Sequence, residues 1–435
     1  MRAREVPPRR TWRAVPRSLA AAHAGGSRAA GGSRALRALV PTDPDRRRAG
    51  GGLSRAGRAR SRRLSRDPRR LRGGCLSASA RRERAREELA RRGRAGALVT
   101  PGVNFEYLTR AAIDRSERLT CLGLSASGRD WIVCPAFEAE RLAEACPEVE
   151  LDPWEETEDP FAAVAKRIAS GGTWAFEPTT AYHDAARIEG AAAGVRFVDG
   201  AEIFERIRRA KDEGEIAALR RAIAAAWQVH NAVVPQLAVG ITEKEVAGWI
   251  ADEFAARGYE AWSLVQFGPG SAVPHGEPSD RKLQRGQAVL IDWGGWGQGF
   301  SADLTRTTWW DGQSIPPEGG PDEFRRVAEV VREAQRAALE LAAPGVACGA
   351  VDEAARSVIR KAGWGERFTH RLGHGLGREI HEPPYLVAGS EVRLAPGDVV
   401  TVEPGIYLPG KFGFRWEDDV LITEAGIDVL SNRGA

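Results

Sequence analysis

Apolar positions along residues 211–234, KDEGEIAALRRAIAAAWQVHNAVV, recur at Ile216, Leu219, Ile223 and Trp227, a helical period sustained over several turns. A second helix is expected after Thr242, which stands as N-cap with Glu245 three residues on, and its buried stripe would be Val246, Ile250 and Phe254. Beyond Gly258 the pattern shifts toward strands, with helices returning at 321–342 and 350–361. Upstream, order begins near Arg81 with a charged helix that Gly93 stops. ALVT (97–100), a turn at Pro101–Asn104 and FEYLT (105–109) then read as strand, turn, strand. DWIVCPAF is a further strand, EAERLAEAC a helix, and residues 160–207 alternate helix, strand TWAFE, helix, strand VRFVDG. Alternation of this kind describes a small α/β domain over 79–208, followed by a larger α+β domain over 209–435.

Composition fits that outline: 43% hydrophobic and 28% charged residues are ordinary for a globular chain, and no apolar run approaches the roughly 20 residues of a bilayer span. Charge changes the picture. Residues 1–75 carry 21 arginines against four acids, net +17, while the remainder carries 42 basic and 55 acidic residues, net −13. Partnership with nucleic acid would therefore rest on the N-terminal segment alone, and the acidic bulk argues against it. Residues 1–78 are rich in Arg, Ala and Gly and lack apolar periodicity, so they are expected to be a disordered extension. No apolar core of a signal peptide follows the basic residues. With arginine outnumbering lysine 57 to 6, as GC-rich coding gives, a start codon assigned too far upstream is the favoured origin. Five scattered cysteines (Cys75, Cys121, Cys134, Cys146, Cys348) form no CxxC pair. They argue against a disulfide framework or structural zinc site and point to the cytoplasm.

Candidate chemistry gathers in the second domain. The strand AVLIDWGG carries Asp292, and after a Gly-rich turn FSADLTRTTWW carries Asp303, so the two strands should form a hairpin with both carboxylates on one face. Near the C-terminus VVTVEPGIYL carries Glu403, and after LPGKFG the strand FRWEDDVLIT carries Glu417, a second hairpin of the same kind. Asp292 and Glu403 each follow a run of buried β-formers, where a lone carboxylate is costly unless paired or metal-bound. Asp418 and Asp419 are expected, at least one of them, to lie behind the site or on the surface. Between the hairpins, THRLGHGLGREIHEPPYL places His370, His374 and His381 on a Gly-rich loop, and His275 sits in GPGSAVPHGEPSD. Four carboxylates and one imidazole form an oxygen-rich set able to hold two divalent ions of the Mn²⁺ or Co²⁺ kind, and paired ions activate water for hydrolysis. GGWGQG joins two strands and is followed by no GK[ST], so it is not read as a phosphate loop; no GxSxG or HExxH occurs.

These patches resemble those of the pita-bread-fold metallopeptidases, which include Xaa-Pro dipeptidases (prolidases), Xaa-Pro aminopeptidases and methionine aminopeptidases. The resemblance runs over about residues 80–435. It implies that Asp292, Asp303, His374, Glu403 and Glu417 are metal ligands, with Glu417 bridging. It also implies that His275 and His381 contact substrate and tetrahedral intermediate, and that Arg415 positions substrate or supports the site. VNFEYLTR resembles part of the creatinase-type N-terminal domain that methionine aminopeptidases generally lack. Departures are small: Trp293 stands where Phe is commoner, and Gly276 follows His275.

The resemblance implies an exopeptidase hydrolysing Xaa-Pro bonds through a water activated by two divalent ions, manganese first, with cobalt, zinc or iron as alternatives. Glu403 would carry the proton to the leaving nitrogen. The expected partner is a peptide with proline at its second position, with no nucleic acid and no membrane, and the expected assembly is a homodimer. A dipeptidase needs a cation for the substrate carboxylate, and Arg415 or Arg378 could supply it. The alternatives are an Xaa-Pro aminopeptidase acting on longer peptides and a non-proteolytic pita-bread binding protein, which would be expected to have lost ligands.

Overall fold

The computed structural model describes residues 76–312 and 319–432; the expected disordered extension lies outside it up to residue 75. Ser77, grouped with that extension on composition, accepts a hydrogen bond from Ala80 N and caps α1 (Ala78–Arg91), while the Leu76 amide donates to Asp212 Oδ2. Gly93, at φ 60°, ends the helix where an L side chain would be strained.

The N-terminal sheet takes β1 (Gly96–Val99), β2 (Cys121–Ser125), β3 (Trp131–Pro135), β4 (Glu150–Trp154), β5 (Gly172–Phe176) and β6 (Val195–Asp199) in the order β4-β3-β2-β1-β5-β6. Between them run α2 (Val103–Thr109), α3 (Ala139–Ala145), α4 (Pro160–Arg167) and α5 (Tyr182–Ala191), and α6 (Ala201–Arg209) follows. Alternate side chains of each strand face opposite ways. Ala97, Val99, Leu122 and Ile132 pack with α1, α2, α3 and α6, whereas Leu98, Cys121, Trp131 and Trp174 pack with α4 and α5. FEYLT is a helix, α2, not the strand its aromatic and β-branched residues suggest. A run this short is a weak prior. One helical face here buries Phe105 and Leu108, Thr109 Oγ1 donates back to Phe105 O, and Tyr107 Oη donates across to Ile207 O at 2.9 Å. The described cysteines, Cys121, Cys134, Cys146 and Cys348, are free and buried.

The C-terminal part opens with α7 (Glu213–Val233) and α8 (Glu243–Ala256), each begun by a complete capping box, Asp212 with Glu215 and Thr242 with Glu245. Val246, Ile250 and Phe254 are all buried, as their spacing requires. Then come β7 (Glu260–Phe267), β8 (Gln287–Gly297), β9 (Phe300–Ser301) and β10 (Leu304–Trp310), followed by α9 (Asp322–Leu341) and α10 (Cys348–Lys361). The chain finishes with β11 (Gly373–Gly375), β12 (Glu382–Leu386), β13 (Val399–Val402), β14 (Gly405–Leu408), β15 (Phe412–Arg415), β16 (Asp418–Thr423) and β17 (Gly426–Val429). One antiparallel sheet runs β10-β8-β7, a second β12-β11-β13-β16-β17, and β14-β15 is a separate hairpin. The helix pair α7–α8 covers one core and α9–α10 the other, the pita-bread arrangement of two helix-backed sheets. No described helix is long and apolar enough to cross a membrane.

The first expected hairpin forms, with Thr305 opposite Asp292. The second divides. VVTVEPGIYL breaks at Pro404 into β13 and β14, and its partner breaks into β15 and β16. Proline cannot donate to a ladder, and the break lets each strand leave the five-stranded sheet to form the β14–β15 ribbon. Glu403 and Glu417 both stand at that transition.

Candidate metal centre

Register decides what faces the site. On β7, β8 and β10 the residues Leu264, Asp292 and Thr305 lie side by side, with Gln266, Leu290 and Thr307 two positions along on the same face. The other face, Val265, Ile291, Trp293 and Leu304, is packed in the core under α7 and α8. Asp303 sits just before β10, its amide donating to Asp419 Oδ2 at 3.3 Å. His374 lies on β11, a strand where a Gly-rich loop was expected. A Cβ on Gly373 would come within 1.9 Å of Thr401 O, and one on Gly375 within 2.4 Å of Glu382 O, so the flanking glycines let β11 slot between β13 and β12.

All five residues expected to be ligands converge. Among the described residues, Asp292–Asp303–Glu417, His374–Glu403–Glu417 and Asp303–His374–His381 form three overlapping groups, each with its ligand atoms within 4.8 Å of one another. Asp303, Glu417 and His374 each belong to two of these groups. His381, expected to stay off the metals, reaches the third group; it is exposed, and its ring meets that of His374 edge-on at 4.2 Å.

The electrostatics call for cations. Burial, then the neighbouring Glu417, Asp292 and Asp419, push the Asp303 carboxyl well above its usual range. Burial, then Glu403 and Asp292, do the same to Glu417. Glu403 is pushed up to about 8 by burial, with Arg415 opposing and Asp292 adding. Asp292 Oδ1 is buried with no hydrogen-bond partner among the described residues. Clustered buried carboxylates hold their charge only beside positive charge, and a hard, oxygen-rich set with one imidazole suits divalent ions. Burial lowers His374 to about 3, keeping it neutral. Its Nδ1 lies 3.1 Å from Gly375 O, which assigns the proton there and turns the Nε2 lone pair toward Asp303 Oδ2 at 3.5 Å and Glu403 Oε1 at 3.4 Å.

Around this cluster a second set of contacts runs through Arg415. Its guanidinium donates to Asp292 Oδ2 (2.6 Å), Tyr407 Oη (2.8 Å), Thr305 Oγ1 (3.0 Å) and Pro274 O (3.2 Å). Burial works against that charge, but Tyr407, Asp292 and Glu403 hold its pKa well above the ordinary value. Thr305 Oγ1 in turn donates to Glu417 Oε2 at 2.6 Å, and Thr401 Oγ1 to Glu403 Oε1 at 3.4 Å. His370 Nε2 meets Tyr407 Oη at 2.9 Å, and its Nδ1 lies 3.8 Å from Glu403 Oε2. Tyr407, Thr305 and Thr401 carry no sequence signal beyond alternation on their strands.

Neither arginine expected to await a substrate carboxylate is free to do so. Arg415 is committed to Asp292. Arg378 is buried, pairs with Glu106 Oε1 at 3.0 Å and lies over Tyr107 and Phe300. Arg371, which sequence reasoning passed over, is half-buried on the Tyr385 ring at 4.5 Å, and its charge acts on His374, His381 and Glu403. His275 is exposed on the loop after β7 and belongs to none of the three groups, but its charge acts on His381 and His370. Asp418 and Asp419 are both buried behind the site; Asp418 pairs with Arg306 at 2.7 Å and accepts from Gln335 and Ser431.

Overlapping groups of buried acids with His374 among them, in this fold, define a metal-dependent hydrolase of the peptidase class. Residues 217–424 match metallopeptidase family M24, and residues 81–210 match the creatinase/prolidase N-terminal domain. The chain is 39% identical over 349 residues to a Mycobacterium tuberculosis protein described as probable dipeptidase PepE, covering 78% of this chain and 90% of that one. The crystal structure of dipeptidase PepE from Mycobacterium ulcerans superposes with a TM-score of 0.77 at 37% identity, over 82% of this chain and 96% of that one. A recombinant prolidase from Thermococcus sibiricus gives 0.75 at 32% identity, over 82% and 98%. The chain belongs to metallopeptidase family M24.

Proposed function

We propose that this peptidase is an Xaa-Pro dipeptidase that works with two divalent ions, manganese foremost, as a homodimer in the cytoplasm. The observation that carries the reading is the convergence of Asp292, Asp303, His374, Glu403 and Glu417 in buried, overlapping groups; likeness to proteins named dipeptidase and prolidase supports it. Divalent ions held there would supply an activated water and polarise the scissile carbonyl. Asp292, Asp303, His374, Glu403 and Glu417 would hold the ions, with Asp303 and Glu417 each lying in two of the three groups. Glu403 carries the proton to the leaving imino nitrogen, because its carboxyl is hydrogen-bonded by Thr401 and sits beside neutral His374. His275 and His381, both exposed beside the cluster, donate to the oxyanion as the carbonyl becomes tetrahedral. Arg415 keeps Asp292 oriented.

Preference for dipeptides rests on Arg371, the cation on the Tyr385 ring beside His381, which would meet the carboxylate of a C-terminal proline. The test compares Ala-Pro with Ala-Pro-Ala on manganese-loaded protein. Faster release of alanine from the dipeptide is expected. Faster cleavage of the tripeptide would turn the assignment to an Xaa-Pro aminopeptidase, and cleavage of neither would remove proline specificity.

A further inference from the structure

His275 stands exposed on an irregular loop, yet the backbone carrying it is held from beneath at three of four consecutive carbonyls. Gln266 is buried on β7, on the same sheet face as Asp292. Its Nε2 donates to Val273 O at 2.8 Å and to Gly276 O at 2.7 Å, spending both amide hydrogens on the carbonyls that bracket His275. The third carbonyl, Pro274 O, is taken by Arg415 Nη1. The two carbonyls orient the amide, and its Oε1 is left buried with no partner among the described residues. Burying an unsatisfied acceptor is costly, so stability alone gives little reason for an amide at this position.

Gly276 completes the arrangement. A Cβ there would lie 2.3 Å from Gln266 Nε2, so only glycine lets the amide reach both carbonyls. The loop is anchored further out as well: Ser279 N and Oγ donate to buried Glu243, and Ser271 Oγ donates to Gly413 O while accepting from Gly413 N. Those contacts fix its ends. Among the described side chains, Gln266 is the one that holds both sides of His275, across a turn closed by the bond from Gly276 N to Val273 O at 3.1 Å.

We propose that Gln266, with Gly276, is a positioning residue that fixes the His275 backbone so that its imidazole meets the developing oxyanion. The inference rests on the reading that His275 contacts the reacting carbonyl. Displacing a group by about 1 Å can cost roughly a hundredfold in rate, so loss of the amide reads out in kcat rather than in KM.

The experiment is a double-mutant cycle on Ala-Pro hydrolysis by manganese-loaded protein, using Gln266→Leu, His275→Ala and their combination. Gly276→Ala serves as a second route, since it pushes on the flexible end of Gln266 and leaves the core intact. Gln266→Leu and Gly276→Ala are each expected to lower kcat roughly tenfold to a hundredfold, with little change in KM. Neither should add more than about twofold when His275 is already alanine. Equal losses in both backgrounds, or a wild-type kcat in Gly276→Ala and Gln266→Leu, would overturn the proposal while leaving His275 in its role. A wild-type kcat in His275→Ala would remove that role and the proposal together. If Gln266→Leu does not fold and Gly276→Ala keeps full kcat, Gln266 is a stability residue and the proposal fails.

Discussion

Arg415 Nη2 lies 2.6 Å from Asp292 Oδ2, and both side chains are shut away from water. The same guanidinium reaches Thr305, whose hydroxyl donates to Glu417, so one cation ties together carboxylates from two sheets. Removing one partner of a buried pair leaves the other uncompensated, at a cost of about 3–5 kcal/mol. Arg415→Met should destabilise the metal-free chain by that order in denaturant unfolding. Its turnover should fall further than a surface Arg→Met control.

Asp303 and Glu417 repel one another while no cation is bound. Asp303→Asn should therefore melt higher than wild type in chelator, a gain of about 1 kcal/mol or more, and yet lose nearly all turnover. Manganese should raise the wild-type melting temperature and leave that of Asp303→Asn almost unmoved. Differential scanning calorimetry with and without the ion checks both signs. A variant that melts lower than wild type in chelator would contradict the repulsion argument.

The pH dependence follows from the same groups. Burial raises Glu403 from 4.5 to about 8, so the folded chain keeps a proton the unfolded chain has released, and stability declines as pH rises across that interval. Burial lowers His374 and His370 from 6.5 to about 3, so the unfolded chain binds more protons there, and stability declines as pH falls from 6.5. The two effects oppose one another between 4.5 and 6.5. Above 6.5 the acids act alone: Glu403 by itself should cost the metal-free chain roughly 1–2 kcal/mol between pH 6.5 and 8, and Asp303 and Glu417, raised in the same direction, add to that loss. Ligands must be deprotonated to bind metal, so the stabilisation added by manganese should grow over the same interval. Urea unfolding at several pH values tests both slopes.

How much of this could be read from sequence depends on the range of the interaction. Asp292 and Glu403 were conspicuous because each ends an apolar strand run, where an unpaired carboxylate is costly. The capping boxes at Asp212 and Thr242 and the stripe Val246, Ile250, Phe254 are local, and local patterns survive folding. FEYLT misled because its strand propensity is outweighed by contacts with the distant α6, seen in the bond from Tyr107 to Ile207. Pro404 marked a break that strand alternation alone hid. Tyr407, Thr305 and Arg371 matter through partners set by long-range register, and no short window contains that register.

Arg371 gives a specificity test. Losing a charge-assisted bond to a carboxylate costs about 1.5–3 kcal/mol, so Arg371→Met should raise KM for Ala-Pro roughly tenfold to a hundredfold. It should alter hydrolysis of Ala-Pro-amide, which lacks the carboxylate, far less. Equal losses on the two substrates would place Arg371 outside substrate recognition.

The proposed role of the buried acids is a dinuclear metal site that hydrolyses Xaa-Pro dipeptides. The most direct measurement strips the chain of metal, returns manganese stepwise, and follows bound metal and Ala-Pro hydrolysis in the same samples. A dinuclear site should show no hydrolysis before addition and a rise to full rate as bound metal approaches about two ions per chain. Full hydrolysis by the stripped chain, or a chain that binds about two ions and leaves Ala-Pro uncut, would contradict it.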